Sequence, residues 1–120
     1  MYLNLEQQAK LAFNSAKSSK LLAIKEEKLA IILKKQGGKA ALSGELIQRY
    51  SQAAKFHAQA AQFHALAAQK NEPNSLQEYI LVGIERQQES KFHLKATKEY
   101  IKLIKNRNSL WLEFSEDTFK

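Results

Sequence analysis

Between Ala53 and Gln69 the phrase A-A-x-F-H-A-x is written twice and begun a third time. Stepping about 100° per residue sorts that stretch into rows along a helix. Lys55, Gln59, Gln62 and Gln69 fall on one side, and Phe56 and Phe63 lie together with Ala53, Ala60 and Ala67 beside them. His57 and His64 come next, followed by Ala54, Ala61 and Ala68, so the histidines are expected near the middle of an apolar face. Alanine on both sides lets a second helix approach closely, with the phenylalanines filling the space to one side.

The rest of the chain reads as two more long helices. Asn4 is a good N-cap, and Gln7 stands three residues later, where a capping box wants Glu or Gln. The run continues without a breaker to Lys34-Lys35 and stops at Gly37-Gly38, with basic residues opposing the negative end of the helix dipole. A second helix over 43–70 follows, its opening weakened by Gly44. N-E-P-N-S at 71–75 is a loop, and Ser75 with Glu78 has the spacing of a capping box for a third helix over 76–107.

Three helices over about 4–36, 43–70 and 76–107, joined by short connections, predict an all-α antiparallel bundle forming one domain over residues 1–108. Residues 109–120 carry Trp111 and Phe114 among Glu113, Glu116 and Asp117. They are expected to pack as a short fourth helix or to serve as an acidic aromatic tail. So slender a bundle buries little per residue, so pairing of two copies is a natural alternative to a lone unit.

Composition narrows the partners. The 120 residues carry a formal charge of +7, with eight lysines against Glu6, Glu26 and Glu27 over residues 4–39 alone. A basic body attracts nucleic acid, acidic proteins or membrane headgroups in general. Cysteine is absent, which excludes disulfides and thiolate metal sites. No stretch approaches the ~20 apolar residues of a membrane span, and the N-terminus lacks the basic start and apolar core of a secretory signal. A cytoplasmic protein is expected.

Two lysine ridges stand out. Lys91, Lys95, Lys98, Lys102 and Lys105 are spaced four, three, four and three on the third helix, with Leu94, Ile101 and Ile104 on the side expected to face the core. Lys10, Lys17, Lys28 and Lys35 share a stripe on the first helix. The ridges contain no arginine, so any nucleic-acid contact would be to the backbone, indifferent to sequence and steeply salt-dependent.

Catalytic chemistry is sparse. No glycine-rich phosphate loop and no G-x-S-x-G is present, and no cofactor is implied. His57 and His64 are seven residues apart, about 10.5 Å along the axis, too far for one ion with bonds of ~2.0–2.1 Å. Arg86 and His93 enclose six residues, R-Q-Q-E-S-K-F-H. That spacing resembles the R-x(4–6)-H element of HEPN-type ribonucleases, small helical domains that usually dimerise. The resemblance implies RNA cleavage by Arg86 and His93 in a cleft between protomers. The tyrosine that commonly follows the histidine in that family is replaced by Leu94 and Lys95.

The sequence therefore supports a small basic non-enzymatic subunit contacting nucleic acid through its lysine faces. A second reading is a protein-interaction module using His57, His64, Phe56 and Phe63 together with Trp111 and Phe114. Histidines buried at such an interface would resist charging, so acid near pH 5 to 6 is expected to loosen it.

Overall fold

The computed structural model describes the chain from residue 4 to residue 119, and side-chain surroundings as far as residue 105. Three α-helices follow one another, α1 (Leu5–Gln36), α2 (Gly38–Ala68) and α3 (Ser75–Phe119). Among the described residues there is no strand. The expectation of an all-α antiparallel bundle of three long helices holds. Residues 109–119 fall within the span of α3 and not in a separate fourth helix. The packing expected of Trp111 and Phe114 lies outside the residues whose side chains are described.

The ends of α1 are set by local chemistry. The Gln7 N–H donates to Asn4 Oδ1 (2.8 Å) and the Asn4 N–H donates back to Gln7 Oε1 (3.1 Å), closing the capping box. At the other end Gly37 (φ 75°) and Gly38 (φ 58°) both take left-handed backbone, a region most side chains avoid. The chain reverses within Gly37 alone, and α2 begins at once at Gly38, five residues before the expected start. Gly44 is no weak opening. It is buried inside α2, where an added Cβ would lie 2.7 Å from the Ala30 carbonyl oxygen and 2.9 Å from the Lys34 nitrogen. The glycine is there to let α1 and α2 approach backbone to backbone.

The second connection departs from its expected cap. Ser75 is buried, and its Oγ accepts the Glu72 N–H at 2.8 Å. The Glu78 carboxylate, the other half of the anticipated box, instead meets His64 across the helix pair. Asn74 takes the capping place by carbonyl only, accepting the Glu78 N–H at 3.0 Å.

The buried stripes keep a seven-residue period. On α1 it is Ala9, Ala16, Ala23 and Ala30, and on α3 Ser75, Val82, Glu89, Ala96 and Leu103. On α2 the buried positions alternate by four and three from Ala40 through Gly44, Ile47, Ser51, Ala54, Ala58, Ala61 and Ala65 to Ala68. Such a repeat, slightly under 3.6 per turn, keeps a seam facing its partner along its whole length. The central helix thus carries two adjacent small-residue rows and packs against both neighbours, while α1 and α3 touch each other much less. Each buried alanine methyl contributes little, roughly 0.8 kcal/mol by the usual transfer figure. Close approach repeated along the seam does the stabilising.

Small residues inside put large ones outside, against two expectations. Phe56 and Phe63 do not fill the seam but stand 68% and 70% exposed on the outer side of α2. Leu94, Ile101 and Ile104 are exposed too, and the core side of α3 belongs to Val82, Glu89, Ala96 and Leu103. Most buried seam positions are alanine, glycine or serine, and Leu33, Ile47, Val82 and Leu103 are the larger apolar side chains buried there.

Candidate functional site

Two small apolar clusters hold the bundle, one built on Ala30, Leu33, Ala40, Ile47, Ala96 and Leu103, the other on Ala16, Ala61, Ala65 and Val82. Between them lies a polar level. Arg86, Glu89 and His93 share one face of α3 by their three- and four-residue spacing, and Glu26 of α1 closes the level from across the bundle. The His93 Nδ1–H donates to Glu26 Oε1 at 2.9 Å, and Arg86 Nε stands 3.3 Å from Glu89 Oε2. Glu89 is 1% exposed.

This level is under-satisfied. Glu26 Oε2, Arg86 Nε, Glu89 Oε2 and His93 Nε2 are buried without a hydrogen-bond partner, and among the described residues no other side-chain atom shares that condition. Arg86 and Glu89 are near enough to attract but not aligned to bond. Leaving such a group unmade costs about 1–3 kcal/mol. Hydrogen bonding to the Glu26 carboxylate raises the His93 pKa above the ordinary 6.5. Burial opposes the rise and the charges of Glu26 and Glu89 add to it, while Arg86 subtracts. Beside Glu26 a pocket of about 110 Å³ is lined by Leu29, Ile47, Ala96, Thr97 and Tyr100.

The spacing that put Arg86 and His93 on one face is therefore realised, but each is occupied by a carboxylate. Among the described residues no group of three His, Cys, Asp or Glu could hold a metal ion.

A second constellation runs along the α2–α3 seam. The His57 Nδ1–H donates to Glu85 Oε2 and the His64 Nδ1–H to Glu78 Oε2, each at 2.6 Å. An ionised carboxylate can only accept, which assigns the proton to Nδ1. Each step of seven along α2 is met by a step of seven back along α3, and one step earlier Tyr50 stacks on Phe92 at 6.4 Å. The His57 ring lies parallel to Phe92 (5.7 Å, 4°). The histidines flank the buried stripe instead of centring it. They make the cross-helix hydrogen bond that imidazole in an alanine seam allows. Their carboxylate partners Glu78 and Glu85 repeat the seven-residue interval of His57 and His64, which is the sequence signal of this pairing.

The lysine ridges are only partly free. Lys95 Nζ sits over the rings of Phe92 (5.5 Å) and Tyr50 (5.8 Å), and Lys102 Nζ lies 3.3 Å from Glu99 Oε1. Lys91, Lys98 and Lys105 are exposed, as are Lys10, Lys17, Lys28 and Lys35 on α1.

The outer side of α2 makes a third surface. Phe56 and Phe63 rise from it, and the hollow between them, about 360 Å³, is lined by Gln59, Ala60 and His64 as well as the two rings. Among the described residues no helix is long and apolar enough to cross a membrane. No family model matches the chain significantly, and neither does any curated protein or solved structure.

Proposed function

We propose that this chain is a non-enzymatic assembly subunit that works by presenting apolar helix surface to a protein partner. One observation carries the reading: alanines occupy the seams, while Phe56, Phe63, Leu42, Ile80, Leu94 and other large apolar side chains are more than half exposed. Scattered exposed leucines need no explanation, but large residues repeating along helix faces form a surface that water does not favour. Burying it against a partner recovers the transfer energy that the alanine core forgoes.

Contact with nucleic-acid backbone is the second reading. It rests on Lys91, Lys98 and Lys105, exposed on one face of α3, and on the +7 charge of the chain. Cleavage of RNA is disfavoured by electrostatics, because Glu26 and Glu89 beside His93 and Arg86 would repel a phosphodiester.

The size of the tagged chain in a native extract tests the assembly reading. It is expected to migrate well above 13.7 kDa, and nuclease treatment should leave that size unchanged. Migration at monomer size would overturn it, and a collapse on nuclease treatment would favour the lysine surface.

A further inference from the structure

We propose that the outer face of α2 is a docking surface for a second copy of this chain, packed antiparallel about a two-fold axis midway between Phe56 and Ala60. This rests on the assembly reading and names the partner.

A two-fold interface must be self-complementary, the same patch supplying both the projection and the place it fits. This face has both. Phe56 and Phe63 project at an interval of seven, and between them, over the small side chain of Ala60, lies the hollow of about 360 Å³. A second hollow of about 240 Å³, lined by Gln52, Lys55 and Gln59, lies on the other side of Phe56. With two such helices antiparallel and Phe56 of each copy level with Ala60 of the other, Phe63 of each comes level with Ala53. The Phe56 ring then enters the larger hollow between Phe56 and Phe63, and the Phe63 ring meets the smaller one beyond Phe56. Knob and hole alternate along a single helix, the geometry of coiled-coil packing.

Charge selects the same partner. The chain carries +7, yet between Tyr50 and Gln69 its only charged residue besides the histidines is Lys55. Both histidines of that stretch turn their Nδ1 toward α3 carboxylates. Glutamines 52, 59 and 62 border the ridge in place of ions. An acidic partner would find almost nothing to pair with here, whereas another copy brings an equally neutral strip. Antiparallel packing also separates the two Lys55 by six residues, about 9 Å along the axis, just beyond the ~8 Å screening length of physiological salt. Parallel packing would set them side by side.

The area predicts a modest affinity. Two phenylalanines from each copy, each about 70% exposed, contribute roughly 400–700 Å² in total at about 150–250 Å² per ring, below the ~1,200 Å² where stable interfaces begin. Pairing of isolated copies is therefore expected to be weak and concentration-dependent.

The test is sedimentation equilibrium of the full chain from low to high micromolar concentration, with the fold of each variant checked by circular dichroism. The average mass is expected to rise from 13.7 kDa toward twice that value. Phe56→Glu and Phe63→Glu, both on exposed positions, should each hold the chain monomeric. Because the chain has no cysteine, Gln59→Cys beside the proposed axis should form an interchain disulfide under mild oxidation, and Gln87→Cys on α3 should not. A wild-type chain that stays monomeric overturns the proposal, as does a dimer indifferent to both glutamates or equal cross-linking at Gln87. If the purified chain is monomeric but migrates as a large species in native extract, this inference falls and the assembly reading stands. Monomer size in both removes both.

Discussion

Gly44 of α2 packs directly on the carbonyl of Ala30 in α1, with the site of a missing Cβ 2.7 Å from that oxygen. Alanine would improve helix propensity there by about 1 kcal/mol. The obstacle is backbone, which cannot swing aside as a side chain could, and forcing a methyl into a packed interior costs about 1–3 kcal/mol or more. Gly44→Ala is therefore expected to lower the unfolding free energy despite the better propensity, by up to about 2 kcal/mol net in urea denaturation. Unchanged or increased stability would mean that the helices can separate without penalty.

His93 gives the bundle a pH response of its own, because its hydrogen bond to Glu26 raises its pKa above the ordinary 6.5. A group with a raised folded pKa binds its proton more tightly in the folded chain. Its stabilising contribution is complete below the unfolded pKa near 6.5 and is lost as pH rises through the folded value. Thermal unfolding should show this contribution fading as pH rises above 6.5, and Glu26→Gln should flatten that part of the profile. The His93 ring resonance should titrate above pH 6.5 in the wild type and lower in Glu26→Gln.

Glu89 is buried on the core face of α3 with Arg86 as its nearby cation. Removing one partner strands the other, at a cost of about 3–5 kcal/mol for a fully buried pair. Arg86 retains 29% exposure, so Arg86→Leu, which strands the buried carboxylate, should cost more than Glu89→Leu. The double variant is expected to be at least as stable as the better single one, since well-packed apolar residues often replace buried ions without loss. A double-mutant cycle in denaturant measures the coupling.

The third-helix lysines divide by surroundings. Reversing Lys91, Lys98 and Lys105 to glutamate should leave the melting temperature nearly unchanged. The same change at Lys95 should lower it, because that ammonium lies over Phe92 and Tyr50. On a mixed-sequence RNA, the first three changes should reduce the slope of log affinity against log salt by about 0.7 for each phosphate that is no longer neutralised. A slope indifferent to them would remove nucleic acid as a partner of this ridge.

What the sequence determined by itself was what nearest neighbours along the chain decide. Asn4 and Gln7 cap α1 because they lie three residues apart, and Gly37 ends it because its own backbone tolerates a positive φ. The period of seven and the absence of breakers were enough for three long antiparallel helices. The face of α2 that turns inward could not be read this way. Its Phe56 row and its Ala54 row are both apolar, and only the close approach of two neighbouring backbones selects the smaller one. The same approach put Gly44 against Ala30 and drew Glu78 away from Ser75 to His64. It also gathered Glu26, Arg86, Glu89 and His93 from two helices into one buried level. These pairings join residues up to 67 positions apart. Seven-residue repetition alone leaves the register between helices degenerate, because a slip of one repeat lays alanine on alanine again. Positions that break the repeat, such as Gly44 and Glu89, distinguish one register from the next, and they do so only once the helices are in contact.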